Sequence, residues 1–207
     1  MHHEALTSDT KKLWPQLKHF PEFILAGGTA LALAIGHRLS ADFDFFSEGE
    51  IAAELLETVE RVFADYAVRT ILNTPEQLTV AVDDTKLTFL TYRFPLVSPP
   101  IEYQGVRLMA IGDIAATKAF ALGRRATLKD YVDLYFIVGR KHCSLKEIVT
   151  FAQKKYGDLF DPRLFFEQLV YLGDVPDEKI QFLKTAVDKT TIEKFFENEI
   201  KKMPLGD

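Results

Sequence analysis

Phe23-Ile24-Leu25-Ala26-Gly27-Gly28-Thr29-Ala30-Leu31-Ala32-Leu33, then Gly36-His37-Arg38-Leu39-Ser40 and Asp42-Phe43-Asp44-Phe45-Phe46, is the stretch from which the rest of the chain is read. Apolar residues lead into a Gly-Gly pair and an Ala- and Leu-rich segment leaves it. This predicts a short buried strand over 23–26, a tight turn, and a helix over 29–35. Residues 42–46 alternate acid and aromatic, the period of a strand with one polar and one buried face. Asp42 and Asp44 then point to one side while Phe43 and Phe45 face the core. Taken alone, such a pair reads first as two solvated surface acids. Beside a Gly-Gly turn, whose backbone can approach a polyanion closely, it reads as a pair able to share divalent metal under a triphosphate.

The composition suits that reading. The 207 residues, 47% hydrophobic and 27% charged, are enough for one large domain or two small ones sharing an interface. The longest apolar run, 23–35, is broken by Gly27 and Gly28 and falls short of the roughly 20 residues a membrane helix needs. The first residues lack a basic-then-apolar leader pattern, so a cytoplasmic location without membrane contact is expected. The single Cys143 leaves no internal disulfide and no cysteine zinc site, and His142 beside it reads as incidental. A net charge of -5 argues against indiscriminate nucleic-acid binding. Between 113 and 143, however, Lys118, Arg124, Arg125, Lys129, Arg140 and Lys141 outnumber Asp113, Asp130 and Asp133, so a polyanion fits one face only.

Leu13, Leu17 and Phe20 have helical spacing and Pro21 ends their segment. Ser47 with Glu50 has the capping-box pattern, predicting a helix to about Tyr66 with Ile51, Leu55, Val59 and Val62 inward. Strands are expected over 68–72, 78–82 and 86–92, with turns at 73–75 and 83–84. Pro95, Pro99 and Pro100 mark a boundary between an α/β core over 1–100 and a helical domain over 101–207 that completes a cleft with it. In the second part, helix starts are expected with Asp113 as cap, at Thr127 with Asp130, at Ser144 with Glu147, at Asp161-Pro162, and finally at Thr191.

The hydrophobic residue, Gly-Gly, spacer and Asp-x-Asp at 26–44 resemble the signature of the polymerase-β-like nucleotidyltransferase superfamily. More narrowly, residues 25–33, 36–40 and 42–46 resemble the AbiEii/AbiGii toxin family. So does the helical motif of Asp113-Ile114-Ala115-Ala116-Thr117-Lys118, Arg125, and Lys129-Asp130-Tyr131-Val132-Asp133-Leu134-Tyr135. The resemblance spans about Phe23 to Val138. It implies an α+β fold, a mixed sheet flanked by helices and followed by a helical half. It also implies Mg²⁺-dependent, or Mn²⁺-dependent, transfer of a nucleoside monophosphate from an NTP to an acceptor, with release of pyrophosphate. The implied acceptor is an RNA, tRNA first, or a protein hydroxyl that would be AMPylated. The implied setting is toxin–antitoxin or phage defence, with a cognate antitoxin as partner.

The site carried over places Asp42 and Asp44 on metal and, with Lys118, in catalysis. Gly27, Gly28, Thr29, Arg38, Lys86, Arg125, Lys129, Asp130 and Asp133 would surround the nucleotide. On spacing alone, Lys118 and Arg125 share a helical face and Lys129 with Asp133 repeats the pattern. These charges either hold a triphosphate or RNA end, with the acids keeping the cations in place, or pair with one another. One position departs from the superfamily pattern: Lys86-Leu87-Thr88-Phe89 has Thr88 where a third metal-binding acid is expected. A hydroxyl is a weak ligand and no base. Either Asp83, Asp84 or Asp113 takes over, or the substrate assists, or transfer is slow or absent and the protein is a nucleotide-binding or interaction module.

Overall fold

The structure is a computed structural model that describes residues 1–125 and 127–203. After a 3₁₀ turn over His3–Ala5, its first segment forms α1 (Ser8–Leu13), where Thr7 Oγ1 caps Thr10 N at 3.3 Å, and tightens to a 3₁₀ helix over Trp14–His19. Pro15 lacks the N–H that would continue the α-helical ladder. β1 (Ile24–Leu25) then runs into α2 (Gly27–Ile35), the strand–turn–helix the Gly-Gly pair predicts. β2 (Phe43–Ser47), α3 (Leu55–Val62), β3 (Val68–Thr74), β4 (Gln77–Val82), β5 (Thr85–Thr91), β6 (Ile101–Tyr103) and β7 (Val106–Leu108) follow. The sheet order is β3-β4-β5-β2-β1-β7-β6, mixed in sense: β2 is parallel to β5 and β1 to β7, and the other pairs are antiparallel.

Two expectations change here. Ser47 does not cap a helix. It closes β2 opposite Thr91, and its Oγ accepts from Gly49 N at 3.2 Å, so the helix starts only at Leu55. Leu55 and Val59 are its buried residues and Phe63, at its C-cap, is buried too, while Ile51 precedes it and Val62 is half-buried. The sheet also continues past residue 100, because β7 pairs with β1 (Ile24↔Arg107, Leu25↔Leu108). The chain divides accordingly into one unit of Met1–Pro95 with Pro99–Ala110, and a second of Leu96–Ser98 with everything from Ile111 onward. The first unit's core is aromatic. Phe45 and Phe89, register partners on β2 and β5, stack at 5.1 Å, and Phe20, Phe23 and Phe63 pack around them. Such cross-strand aromatic pairs pin the register, since a slip of one residue would turn Phe43 and Phe45 outward.

The second unit consists of α4 (Ile111–Leu122), α5 (Leu128–Gly139), α6 (Leu145–Tyr156), a 3₁₀ turn over Gly157–Leu159, α7 (Pro162–Leu169) and α8 (Lys189–Lys201). α4 packs on α5, α6 and α7, and α8 rests on α5 and α7. Three starts follow the expected chemistry: Asp130 reaches back to Thr127, Glu147 to Ser144, and Asp161 caps α7; the last helix starts at Lys189, not Thr191, because Asp188 accepts from Thr191 N at 2.7 Å and caps it. Asp113 is the exception. It lies within the first turn of α4, fully buried, and does not cap it. Among the described residues no helix is long and apolar enough to cross a membrane.

Tyr131 on α5 ties this unit together, donating to Gln168 O at 3.0 Å with Tyr171 O at 3.3 Å. Burial first, then nearby Asp174, Asp130 and Glu193, push its phenol up to about 12. Because the folded state holds the proton more tightly than the unfolded chain, this contribution is complete below the ordinary phenol range near 10. It is lost as pH rises from about 10 through about 12. Tyr131→Phe is expected to cost about 1 kcal/mol at neutral pH. Urea unfolding at neutral and alkaline pH should show the gap to the parent protein closing in that upper window.

Candidate active site

The backbone at the Gly-Gly turn has no room for side chains. Gly27 sits at φ 63°, and a Cβ there would lie 3.1 Å from Asp44 Oδ2; a Cβ on Gly28 would run into Arg38 Nη2. The Asp44 carboxylate and the Arg38 guanidinium therefore flank one turn. Arg38 is 3% exposed and donates through Nη1 to Leu39 O at 3.1 Å, so its charge is held in place. The turn opens α2, and Ala26 at the N-cap has no side chain able to accept from the first-turn N–H groups. Those donors and the helix dipole suit an anion. Thr29, expected to touch nucleotide, is 2% exposed and turned inward. Its Oγ1 lies 2.7 Å from Ser40 Oγ and donates to the main-chain carbonyl of Asp42, so it positions the acid. Gly28→Ala is expected to displace the guanidinium and lower turnover by about 10²-fold, the scale for a misplaced site group. A thermal melt close to that of the parent protein, beside the measured rate, separates displacement from unfolding.

Asp42 and Asp44 are half-buried on the face opposite Phe43 and Phe45, as the alternation predicts. Lys86 Nζ stands 3.8 Å from Asp42 Oδ2, with both side chains about half exposed, a loose pair that leaves each available to a ligand. In the parallel β2–β5 register Asp44 lies opposite Thr88, and across β5 Thr88 lies opposite Thr79, whose Oγ1 accepts from Gln77 Nε2 at 2.9 Å. The same face thus presents two carboxylates, then hydroxyls. Among the described residues no three His, Cys, Asp or Glu side chains converge as a preformed metal site. The donors present are nevertheless hard oxygens, which fit Mg²⁺ or Mn²⁺ completed by phosphate oxygens and water. Asp83, one substitute for the third acid, accepts from Ala67 N at 3.0 Å in its turn.

In the second unit, Lys118 Nζ bridges Asp130 Oδ1 at 2.9 Å and Asp133 Oδ2 at 2.6 Å, with side chains 8%, 9% and 0% exposed. Asp130 Oδ2 in turn accepts from Thr127 Oγ1 at 2.7 Å, so the group that starts α5 also holds the lysine of α4. Lys118, Asp130 and Asp133 come together as expected; Arg125 and Lys129 do not join them. α4 ends at Leu122, so Arg125 is not on its helical face and is exposed, while Lys129 pairs with Glu178. Asp113, another substitute acid, is committed elsewhere: its Oδ1 accepts from Lys155 Nζ (2.7 Å) and Val97 N (2.9 Å), and its Oδ2 from Ser98 N (2.9 Å).

Residues 12–101 match the family described as nucleotidyl transferase AbiEii toxin, type IV TA system. The uncharacterized protein aq_aa25 of Aquifex aeolicus (strain VF5) is 32% identical over 183 residues, 87% of each chain. The chain belongs to the AbiEii nucleotidyltransferase family. Solved structures agree on the fold. A candidate nucleotidyltransferase from H. pylori superposes with TM-score 0.61 at 22% identity, covering 98% of this chain and 97% of that one. MenT4, a nucleotidyltransferase toxin of Mycobacterium tuberculosis H37Rv, superposes with TM-score 0.60 at 18% identity, covering 94% and 83%. The fold is the α+β, polymerase-β-like one, and the general reaction of this AbiEii-family enzyme is nucleotidyl transfer. Ser40 and Lys155 were not singled out by spacing. Ser40 lies just before the acid pair, but nothing local marks its bond to Thr29. Lys155 sits on a lysine-rich helix end that reads as solvated.

Proposed function

We propose that this AbiEii-family protein transfers a nucleoside monophosphate from an NTP to an RNA acceptor, tRNA first, with release of pyrophosphate. The reading is of a cytoplasmic toxin restrained by a cognate antitoxin and serving in phage defence. The observation that carries it is the pairing of Asp44 and Arg38 on either side of Gly27-Gly28. An anionic chain laid against the turn meets uncapped N–H groups and a fixed guanidinium, and a carboxylate pair stands beside it to hold the neutralising metal. Asp42 and Asp44 would hold Mg²⁺, which when bound neutralises triphosphate charge and polarises the phosphoryl group under attack. Lys86, half-exposed beside Asp42, would meet phosphate, and Thr29, which donates to the Asp42 carbonyl, would keep that acid in position. Lys118, Asp130 and Asp133 act in this reading as a prealigned charge group for the acceptor or triphosphate, and Arg125, exposed, and Lys129, half-buried and paired with Glu178, as phosphate contacts.

Thr88 favours a second reading, nucleotide binding with little transfer, because a hydroxyl opposite Asp44 can neither hold metal firmly nor take the nucleophile's proton. Incubation with each labelled NTP, Mg²⁺ and total tRNA or cell extract separates them. Label on RNA with pyrophosphate release supports the first reading, label on protein makes the acceptor a polypeptide, and calorimetric NTP binding without release supports the second. Thr88→Asp is expected to tighten Mg²⁺ binding about tenfold or more, since it adds a charged hard ligand in the register of Asp44. Unchanged metal affinity by calorimetry would remove Thr88 from the metal-binding row.

A further inference from the structure

A hollow within the second unit serves none of the groups above. Phe120 of α4 stacks on Tyr156 of α6 with centroids 3.9 Å apart at 8°, and the Arg124 guanidinium lies over the Phe120 ring, its carbon 3.6 Å from the centroid. Two carbonyls fix that plane: Nη1 donates to Phe120 O at 3.1 Å and Nη2 to Leu159 O at 3.0 Å. Arg124 is nonetheless exposed. Around it is a hollow of about 220 Å³, with Leu159, 59% exposed, and Leu164, 38% exposed, among its walls. Arg125 and Arg163, each one residue from this set in sequence, are exposed cations, Arg163 with its Nε 2.9 Å from Glu167 Oε1.

A guanidinium laid over an aromatic ring, with two of its five N–H groups on carbonyls and Leu159 and Leu164 beside it, offers a flat, polarisable ligand a stacking surface. Nucleobases stack on such planes, and the phosphates that come with them suit the neighbouring arginines. We propose that the Arg124 platform binds an unpaired nucleobase at a single-stranded nucleic-acid end, stacked on the guanidinium between Leu159 and Leu164. This rests on the reading that the acceptor is an RNA, and it deepens that reading by placing the acceptor's unpaired base.

The probe is a fluorescent hairpin with a three-nucleotide 3′ overhang, made in RNA and in DNA, each with adenines or with abasic sugars in the overhang. Binding is followed by anisotropy without NTP or metal, so failure here is distinguishable from failure of nucleotidyl transfer. The parent protein is expected to favour the adenine overhang by at least about fivefold, the lower end for one stacked base. The sugar bound more tightly identifies the source. Arg124→Lys, which keeps the charge and loses the plane, is expected to abolish the preference, with residual binding to both probes still weakened by salt. If that variant melts early, Leu164→Asp, a change at an exposed rim, is expected to do the same. Equal binding of adenine and abasic probes by the parent overturns the proposal, as does a preference that survives in a folded Arg124→Lys or Leu164→Asp variant.

Discussion

Asp44→Asn is expected to lower nucleotidyl transfer by at least about 10³-fold with little change in melting temperature. The side chain keeps its shape and one oxygen, so the β2 backbone and its pairing with β5 have no reason to move. What disappears is the negative charge beside the Gly27-Gly28 turn and opposite Arg38, leaving Asp42 as the single carboxylate of the row. Asp42→Asn is expected to be similarly inactive on the proposed function, because its loosely held neighbour Lys86 cannot supply a second carboxylate. Transfer of labelled nucleotide at saturating Mg²⁺, compared with the melt of each variant, measures this. Label transfer that persists without Asp44 would remove the acid pair from the active site.

Asp113→Ala should have the largest effect on stability, about 3–5 kcal/mol, the range for breaking one side of a buried ion pair. Both side chains of the Asp113–Lys155 pair are fully buried, and the carboxylate also takes the N–H groups of Val97 and Ser98. Removing it takes the carboxylate away from a buried cation and two backbone donors at once. Lys155 is already under strain of this kind, since burial holds its ammonium below the usual lysine range despite Asp113. Combining Asp113→Ala with Lys155→Met should recover part of the loss by removing the buried charge, while the two N–H groups still lack the carboxylate. Urea denaturation of the single and double variants tests the order; a double variant no better than Asp113→Ala would assign the cost to the backbone donors instead.

The local signals were legible where the chain's own chemistry is local. A Gly-Gly pair admits the positive φ and close approach that the turn needs, and the alternation of Asp and Phe from 42 to 46 requires one polar and one apolar face. Three helix starts in the second unit follow from side chains that reach three residues or fewer along the chain, Asp130, Glu147 and Asp161. Ser47-Glu50 has the same pattern and failed, because pairing of Ser47 with Thr91, forty-four residues away, holds the backbone extended. Asp113 looked like one more cap until Lys155 and the N–H groups of Val97 and Ser98 claimed it.

By itself, then, the sequence determined the strand–turn–helix, the acid pair and the helical character of the second unit, because each depends on neighbours within a turn or a pleat. Only the tertiary structure decided that Thr88 stands opposite Asp44, that Arg38 lies against Gly28, and that Lys129 turns to Glu178 rather than to Lys118's cluster. Strand register and ion-pair choice are settled by which distant groups burial brings within reach, and no periodicity along the chain carries that information.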